Sequence, residues 1–295
     1  MGELMAEFNA EKMNIQWFPG HMTKAMRMIE ENLKMVDAVC EIVDARIPGA
    51  SRNPDIDKLA AGKPRLMVLN RADLADPKLT ARWKSYFESQ GCAVLETDAK
   101  SGKGVNGFVP AVRRLLNDKL KEYEAKGQVG RPLRVMILGI PNVGKSTFIN
   151  KVAGRKAAIA GDKPGVTKGK QWINIDRGLD LLDTPGVLWP KFDSQEVGEL
   201  LAVTNAIKAD VLDKETLGAN FMLRLRALYP QAIVERYKFT PDPEANGFEL
   251  LEQAAKKRGF LVSKGEYDIE RMSNTLLGEY HDGKLGRLTL EAPDA

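Results

Sequence analysis

The sequence predicts an α/β protein with a mostly parallel sheet and helices on both faces, followed by a small all-α region. Three observations predict it. Apolar runs of strand length alternate with helix-period segments through residues 23–124. A further apolar run, Leu133-Arg134-Val135-Met136-Ile137-Leu138, leads straight into the glycine-bearing loop Gly139-Ile140-Pro141-Asn142-Val143-Gly144-Lys145-Ser146. After Pro190 only helical periodicity remains.

Residues 23–36 place Met26, Ile29, Leu33 and Val36 at helical spacing. Ala38-Val39-Cys40-Glu41-Ile42-Val43, Arg65-Leu66-Met67-Val68-Leu69 and Ala93-Val94-Leu95 read as buried strands. Segments 77–89 and 109–124 read as helices between or after them. Residues 122–132 are polar, with Gly127, Gly130 and Pro132, and read as a linker. Residues 147–152 open a helix, and 161–169 form a polar loop. Residues 170–176 and 179–182 then make a hairpin turning at Arg177-Gly178. Beyond Pro190, Asp193 and Glu196 resemble a capping pair, with Val197, Leu200, Leu201, Thr204 and Ile207 along one face. Segments 221–228, 248–258 and 269–278 are further helices, and Pro230 and Gly259 stand where helix stops are expected.

The chain has 295 residues, 43% hydrophobic and 28% charged, which suits one large or two modest domains. No apolar run reaches the roughly 18–20 residues of a membrane span, and residues 1–12 lack the apolar core of a signal peptide. Cys40 and Cys92 lie in apolar segments and read as buried free thiols. Two cysteines and two distant histidines make no zinc site. These features predict a cytosolic, disulfide-free protein without membrane or DNA partners. The net charge of +4 permits RNA contact, but residues 211–295 carry a net −2, so the C-terminal region is not a basic tail.

The loop at 139–146 fits G-x-x-x-x-G-K-[ST], with the strand before it and helix after it that the pattern requires. Its glycines let backbone N–H groups of Val143, Gly144, Lys145, Ser146 and Thr147 face phosphate oxygens at a helix N-terminus. Lys145 is placed to reach the β and γ phosphates, and the Ser146 hydroxyl to bind Mg²⁺. Asp183-Thr184-Pro185-Gly186 ends a strand 37 residues after Ser146. Its Asp183 carboxylate suits Mg²⁺ and its Gly186 N–H the γ phosphate. Thr167, in the loop between, can complete the Mg²⁺ shell.

Asn70-Arg71-Ala72-Asp73 follows a buried strand. The Asp73 carboxylate can accept from guanine N1–H and the 2-amino group together, a donor pair that adenine lacks. Arg71 stands where most such motifs carry Lys, and its guanidinium can stack on a base. In Thr97-Asp98-Ala99-Lys100-Ser101-Gly102, Asp98 replaces a usual Ser, the Ala99 N–H serves the base edge, and Lys100 covers the base face. The base-reading parts therefore precede the phosphate-binding ones, a rotated order for a GTP switch.

With these motifs, the chain resembles the circularly permuted GTPases, and most closely the ribosome biogenesis GTPase A family. The resemblance covers about residues 13–293. It includes Trp17-Phe18-Pro19-Gly20-His21-Met22, Asp44-Ala45-Arg46-Ile47-Pro48, Pro164-Gly165-Val166-Thr167 and Gly283-Lys284-Leu285-Gly286-Arg287. Departures are Arg71 for Lys, Asp98 for Ser, and Tyr280-His281-Asp282 in place of a Phe-Arg pair. The resemblance implies a circularly permuted P-loop GTPase domain over 13–192 and an all-α, rRNA-contacting domain over 193–295. It implies GTP/GDP with Mg²⁺, the large ribosomal subunit or its precursor as partner, and a monomer off the ribosome. It also implies Asn142 as a K⁺ ligand and His21 as a catalytic group, because Val187 stands where related switches carry a water-orienting Gln. Lys256, Lys257, Arg258 and Lys264 are candidate rRNA contacts. The competing class is a nucleotide-gated RNA-binding scaffold with little catalysis. An ATPase reading conflicts with Asp73, and the zinc-containing permuted GTPases of the small subunit conflict with the cysteine count.

Overall fold

The structure is a computed structural model. It describes residues 21–158, 171–176, 178–189, 192, 194–207, 213–262 and 265–293. The chain divides into two compact units, one spanning Trp17–Lys191 and one that takes in Phe192–Ala295.

The first unit is built on β1 (Ala38–Asp44), β2 (Arg65–Asn70), β3 (Ala93–Thr97), β4 (Leu133–Leu138), β5 (Gln171–Asp176) and β6 (Leu179–Asp183). They form one sheet in the order β3-β2-β1-β4-β6-β5. Every neighbouring pair is parallel except β5 with β6, the hairpin. All seven residues of β1 are buried, as a central parallel strand covered on both faces must be.

The chain runs outward from β1 to β2 and β3, returns to the centre at β4, and then builds toward the opposite edge. β1 and β4 are therefore adjacent strands whose connections leave in opposite directions. The crevice at their C-terminal ends is the topological switch point, where α/β sheets bind ligands.

The helices of this unit are α1 (His21–Leu33), α2 (Asp55–Leu59), α3 (Pro77–Ser89), α4 (Phe108–Leu115), α5 (Asn117–Ala125) and α6 (Lys145–Ala153). The α3 N-cap is Asp76, whose carboxylate accepts from the N–H groups of Lys78 and Leu79, with Pro77 at the first position. Its Trp83 and Phe87 pack on Val43, Met67 and Leu69, one face of the sheet. Phe108 of α4 meets Phe148 of α6 edge-to-face at 5.2 Å. The segment expected as one helix over 109–124 is two, broken at Leu116 (φ −106°, ψ 21°). The short α2 has no counterpart in the sequence reading. Cys40 and Cys92 are free and buried.

The second unit is helical: α7 (Gln195–Val203), α8 (Lys214–Leu228), α9 (Pro230–Tyr237), α10 (Gly247–Arg258) and α11 (Ile269–His281). Pro230 stands where α8 ends, just after its C-cap Tyr229, and it also opens α9, where its missing N–H costs nothing. α7 is capped by Ser194, whose hydroxyl accepts from Val197 N; Asp193 lies outside the described residues. A Cβ at Gly218 would sit 2.5 Å from Ser273 Oγ, and one at Gly247 would sit 2.3 Å from Ala219 O. These glycines let α11 and α10 approach α8 closely. Phe221 and Tyr280 meet edge-to-face at 5.0 Å in this core. Glu279 accepts from Arg236, Arg258 and the Tyr237 hydroxyl, at 2.5–3.0 Å. Burial raises its pKa, but these bonds and the two guanidinium charges outweigh that and hold it below the ordinary value. Among the described residues, no helix is long and apolar enough to cross a membrane.

Candidate functional site: a guanine-nucleotide crevice

Four of the predicted motif segments lie at the C-terminal ends of β2, β3, β4 and β6. The phosphate loop follows β4. Its geometry depends on left-handed backbone at Gly144 (φ 94°) and Asn142 (φ 59°). A Cβ at Gly144 would fall 2.4 Å from Asn70 Nδ2, so only glycine fits there. Gly144 precedes α6, which begins at Lys145; Ser146 and Thr147 occupy its first turn, half-buried. This is the strand–loop–helix geometry that cradles phosphate.

Asn70 is the joint of the site. It is 2% exposed at the end of β2. Its Nδ2 donates to Val143 O at 2.9 Å, reaching the phosphate loop. Its Oδ1 accepts from Ala99 N at 3.0 Å and Thr97 Oγ1 at 3.2 Å, reaching the loop after β3. One amide thus fixes the phosphate half to the base half. The Ala99 N–H, expected to face the base edge, is directed at Asn70. A base-edge role requires that bond to be shared or exchanged.

Arg71 has left-handed backbone (φ 61°). Its guanidinium does not extend away as a free stacking plane. Nη2 donates to Asn142 O at 2.7 Å, and Nε lies 3.7 Å from Asp44 Oδ2. Asp44 in turn holds Arg46, which is fully buried, through bonds of 2.9 and 2.8 Å. Burial pushes the Asp44 carboxyl up, but Arg46 and then Arg71 outweigh it and hold it below the ordinary value. The motif Asp44-Ala45-Arg46 is therefore a buried ionic brace for Arg71, and through it for the phosphate loop. Sequence reasoning singled out that motif without assigning it a role. Its signal was an Asp and an Arg at the end of a strand whose other residues, Glu41 apart, are apolar.

Asp98, in the place of the usual Ser, serves the backbone of its own loop. Its Oδ1 accepts from Lys100 N at 2.9 Å and Ser101 N at 3.2 Å, so it caps the turn that carries Ala99. Asp73 and Lys100 are exposed at the rim.

On the phosphate side, Asp183 ends β6 and is 1% exposed. Lys145 Nζ donates to Asp183 Oδ1 and to Thr184 O. Burial lowers the Lys145 pKa, and the Asp183 charge works against that. Gly186 lies against the phosphate loop. A Cβ there would be 2.8 Å from Pro141 N and 3.0 Å from Ile140 C. Val187 N donates to Gly139 O at 3.2 Å, which ties the two motifs together. Thr167 and Lys264 lie outside the described residues. His21 opens α1, but its side chain is also outside them. Arg258 leaves the predicted basic cluster: it is paired with Glu279 and lies over the Tyr237 ring at 5.5 Å. Lys256 and Lys257 remain exposed.

Residues 134–217 match the family described as 50S ribosome-binding GTPase. Ribosome biogenesis GTPase A of Bacillus cereus is 45% identical over 282 residues, covering 96% of this chain and 95% of the relative. The Thermotoga maritima protein of the same name is 32% identical, covering 95% of each. Among solved structures, GNP-bound YlqF from T. maritima superposes with a TM-score of 0.63 at 29% identity, covering 92% of this chain and 99% of that one. The GDP-bound structure of the same protein superposes equally well. With base-reading strands ahead of the phosphate-loop strand in chain order but beside it in the sheet, this chain is a guanine-nucleotide-binding GTP hydrolase that belongs to the ribosome biogenesis GTPase A family.

Proposed function

We propose that this protein is a GTP-driven switch in assembly of the large ribosomal subunit, bound to the particle with GTP and released after hydrolysis. One observation carries the reading. The segment after Gly186, where a water-orienting side chain would stand, is Val187-Leu188-Trp189, and all three are at most 4% exposed. A buried aliphatic group cannot orient water. Turnover by the chain alone is then slow, and a partner completes the site. The relatives' names support the ribosome as that partner, and the match to the 50S ribosome-binding GTPase family supports its large subunit.

In this reading water attacks the γ phosphorus in line. Lys145 exchanges its bonds to Asp183 and Thr184 for phosphate oxygens, whose charge keeps the ammonium protonated despite its burial. The Gly186 N–H faces the γ phosphate. Asp73 selects guanine, and Lys100 covers the base. A hydroxyl at Ser146, in the first turn of α6, and a carboxylate at Asp183, at the end of β6, are hard oxygen donors that fit Mg²⁺, with Thr167 as a third. When bound, that ion offsets charge on the β and γ oxygens. Asn142 is the candidate K⁺ ligand, and His21 the candidate group that accepts from or orients water near neutral pH. The helical unit, through Lys256 and Lys257, is the candidate rRNA contact.

The test is GTP turnover in K⁺ buffer with and without purified large subunits, using small subunits as control. Selective stimulation by large subunits is expected. No stimulation by either would sink the timer reading in favour of a gated binding protein.

A further inference from the structure

The nucleotide crevice uses the C-terminal ends of the strands. At the opposite end lies a cavity of about 570 Å³ that the mechanism does not use. It is bounded by the residues entering β1, β2 and β4 and by one face of α5. It is roughly 20 Å from the phosphate loop, the length of β4 at strand rise.

Its lining is dominated by charge. Lys34, Lys63, Lys119, Lys126, Arg131 and Arg134 face two acids, Asp37 and Glu122. Both acids are committed. Asp37 accepts from Tyr123 Oη at 2.6 Å and from Arg134 N at 2.8 Å, which fastens α5 to β4. Glu122 sits between Lys119 at 2.8 Å and Lys126 at 2.6 Å, and these bonds hold its carboxyl down at about 2. Lys34, Lys63, Arg131 and Arg134 have no carboxylate partner among the described residues. The surplus of four positive charges here matches the formal charge of the whole chain, +4.

The cations are also pre-placed. Arg131 lies over the Tyr123 ring at 4.5 Å, with the Lys119 ammonium 5.1 Å from the same ring. Arg134 lies over Trp172, itself 38% exposed on edge strand β5, at 5.2 Å. Aromatic planes that hold guanidinium groups outward leave them with little entropy to lose when a phosphate arrives. Protein interface cores are apolar and depleted in charge, unlike this lining. Phosphate binding needs dispersed, exposed cations.

We infer that this cavity is an RNA-backbone docking surface, with Lys34, Lys126 and Arg131 neutralising phosphates of a helix held against the far end of the sheet. The inference rests on the ribosome-assembly reading for its partner. It moves the principal RNA contact from the acidic helical unit to the nucleotide-binding unit.

The test compares the full chain with Lys34→Gln/Lys126→Gln/Arg131→Gln, binding a short RNA duplex and purified large ribosomal subunits across a KCl series. Each phosphate contact contributes about fivefold to affinity at about 0.15 M salt and about 0.9 to the log–log salt slope. The triple variant is expected to lose roughly a hundredfold on both probes and two to three units of slope. Its guanine-nucleotide affinity and melting temperature should stay put. The charge-keeping variant Lys34→Arg/Lys126→Arg/Arg131→Lys should bind like wild type. Unchanged affinity and slope in the triple variant would overturn the proposal while the ribosome reading stands, because wild type still binds subunits. Slope loss on the duplex with no wild-type binding to subunits would keep the RNA surface and remove the ribosome reading. A loss confined to polyglutamate, used as a third probe, would overturn it in favour of an acidic protein. Wild type that binds no RNA of either kind would overturn both.

Discussion

Asn70 gives the sharpest test of how the nucleotide site is held together. Replacing it with Ala removes three hydrogen bonds, to Val143 O, Ala99 N and Thr97 Oγ1. Each is worth about 1 kcal/mol net, and a buried donor or acceptor left unpaired costs about 1–3 kcal/mol. Val143 and Ala99 are each 2% exposed, so water does not replace the lost partner without rearrangement. The total is about 3–5 kcal/mol, shared between apo stability and nucleotide binding. If about 3 kcal/mol falls on binding, GDP affinity drops by roughly a hundredfold or more. Asn70→Asp separates the two halves of that loss. It keeps the acceptor facing Ala99 and Thr97 but replaces the donor by an oxygen facing the Val143 carbonyl. At neutral pH that variant should retain the base-side loop and lose the phosphate loop. Its affinity should recover on acidification, because the buried acid, once protonated, can again donate to Val143 O. The measurements are fluorescent-GDP affinity against pH and melting without nucleotide. An Asp variant that binds and melts like wild type at neutral pH would refute the Asn70–Val143 tie.

Three further outcomes are expected. Gly186→Ala puts a Cβ within 2.8–3.0 Å of the Pro141 and Ile140 backbone, so the loops must part; overpacking of about 1–3 kcal/mol should weaken GTP more than GDP and lower turnover by roughly tenfold or more, and matched GTP affinities would refute it. Asp44→Asn takes the carboxylate charge away from the buried Arg46 guanidinium, costing about 3–5 kcal/mol, visible as a fall of roughly 10 °C in melting temperature. Since the folded Asp44 pKa is depressed, its stabilisation is present above the ordinary value of about 3.9 and fades as pH falls through the folded value; the variant's stability should therefore depend less on pH below about 4 than wild type does. His21→Ala should lower turnover strongly with GTP affinity intact, and equal single-turnover rates in the two proteins would remove His21 from the mechanism.

The strands, the phosphate loop and the hairpin were legible because each is written in contiguous residues: an apolar run, a glycine pattern, a turn. Other elements carry ambiguous local signals. Pro230 marks the end of α8, as expected, and also begins α9, a second role that the stop signal alone does not show. Ser194 and Asp193 are both good caps, and one hydroxyl aligned with Val197 N decides between them. The break at Leu116 sits inside a pattern that stays helical on both sides. The bonds that assemble the site were not legible at all. Asn70 to Val143 and Arg71 to Asn142 link residues 73 and 71 positions apart. Their partners depend on strand order, which no local pattern encodes. The turn-capping bonds of Asp98 were not legible for a related reason: a carboxylate two residues before an N–H serves the backbone as readily as a ligand.

Strand order also explains why the rotated motif order costs the site nothing. The base-reading block β1-β2-β3 and the phosphate-binding block β4-β6-β5 are each contiguous in the sheet, and they meet at one seam, β1 against β4. Across that seam run the Asn70–Val143 bond, the Arg71–Asn142 bond and the Asp44 brace behind Arg71. Reversing the chain order of the two blocks alters only the connection, here α4, α5 and the residues up to β4, and leaves every seam contact in place. The connection is where the difference appears. It passes from edge strand β3 back to the centre, and α5 comes to rest over the N-terminal ends of β1 and β4, where Tyr123 bonds Asp37. The basic cavity is built from that crossover and the strand entries beside it. An arrangement with the phosphate loop first would need no crossover at this point. The permutation therefore preserves the catalytic end of the sheet and supplies, at the other end, the segment that forms a second charged surface.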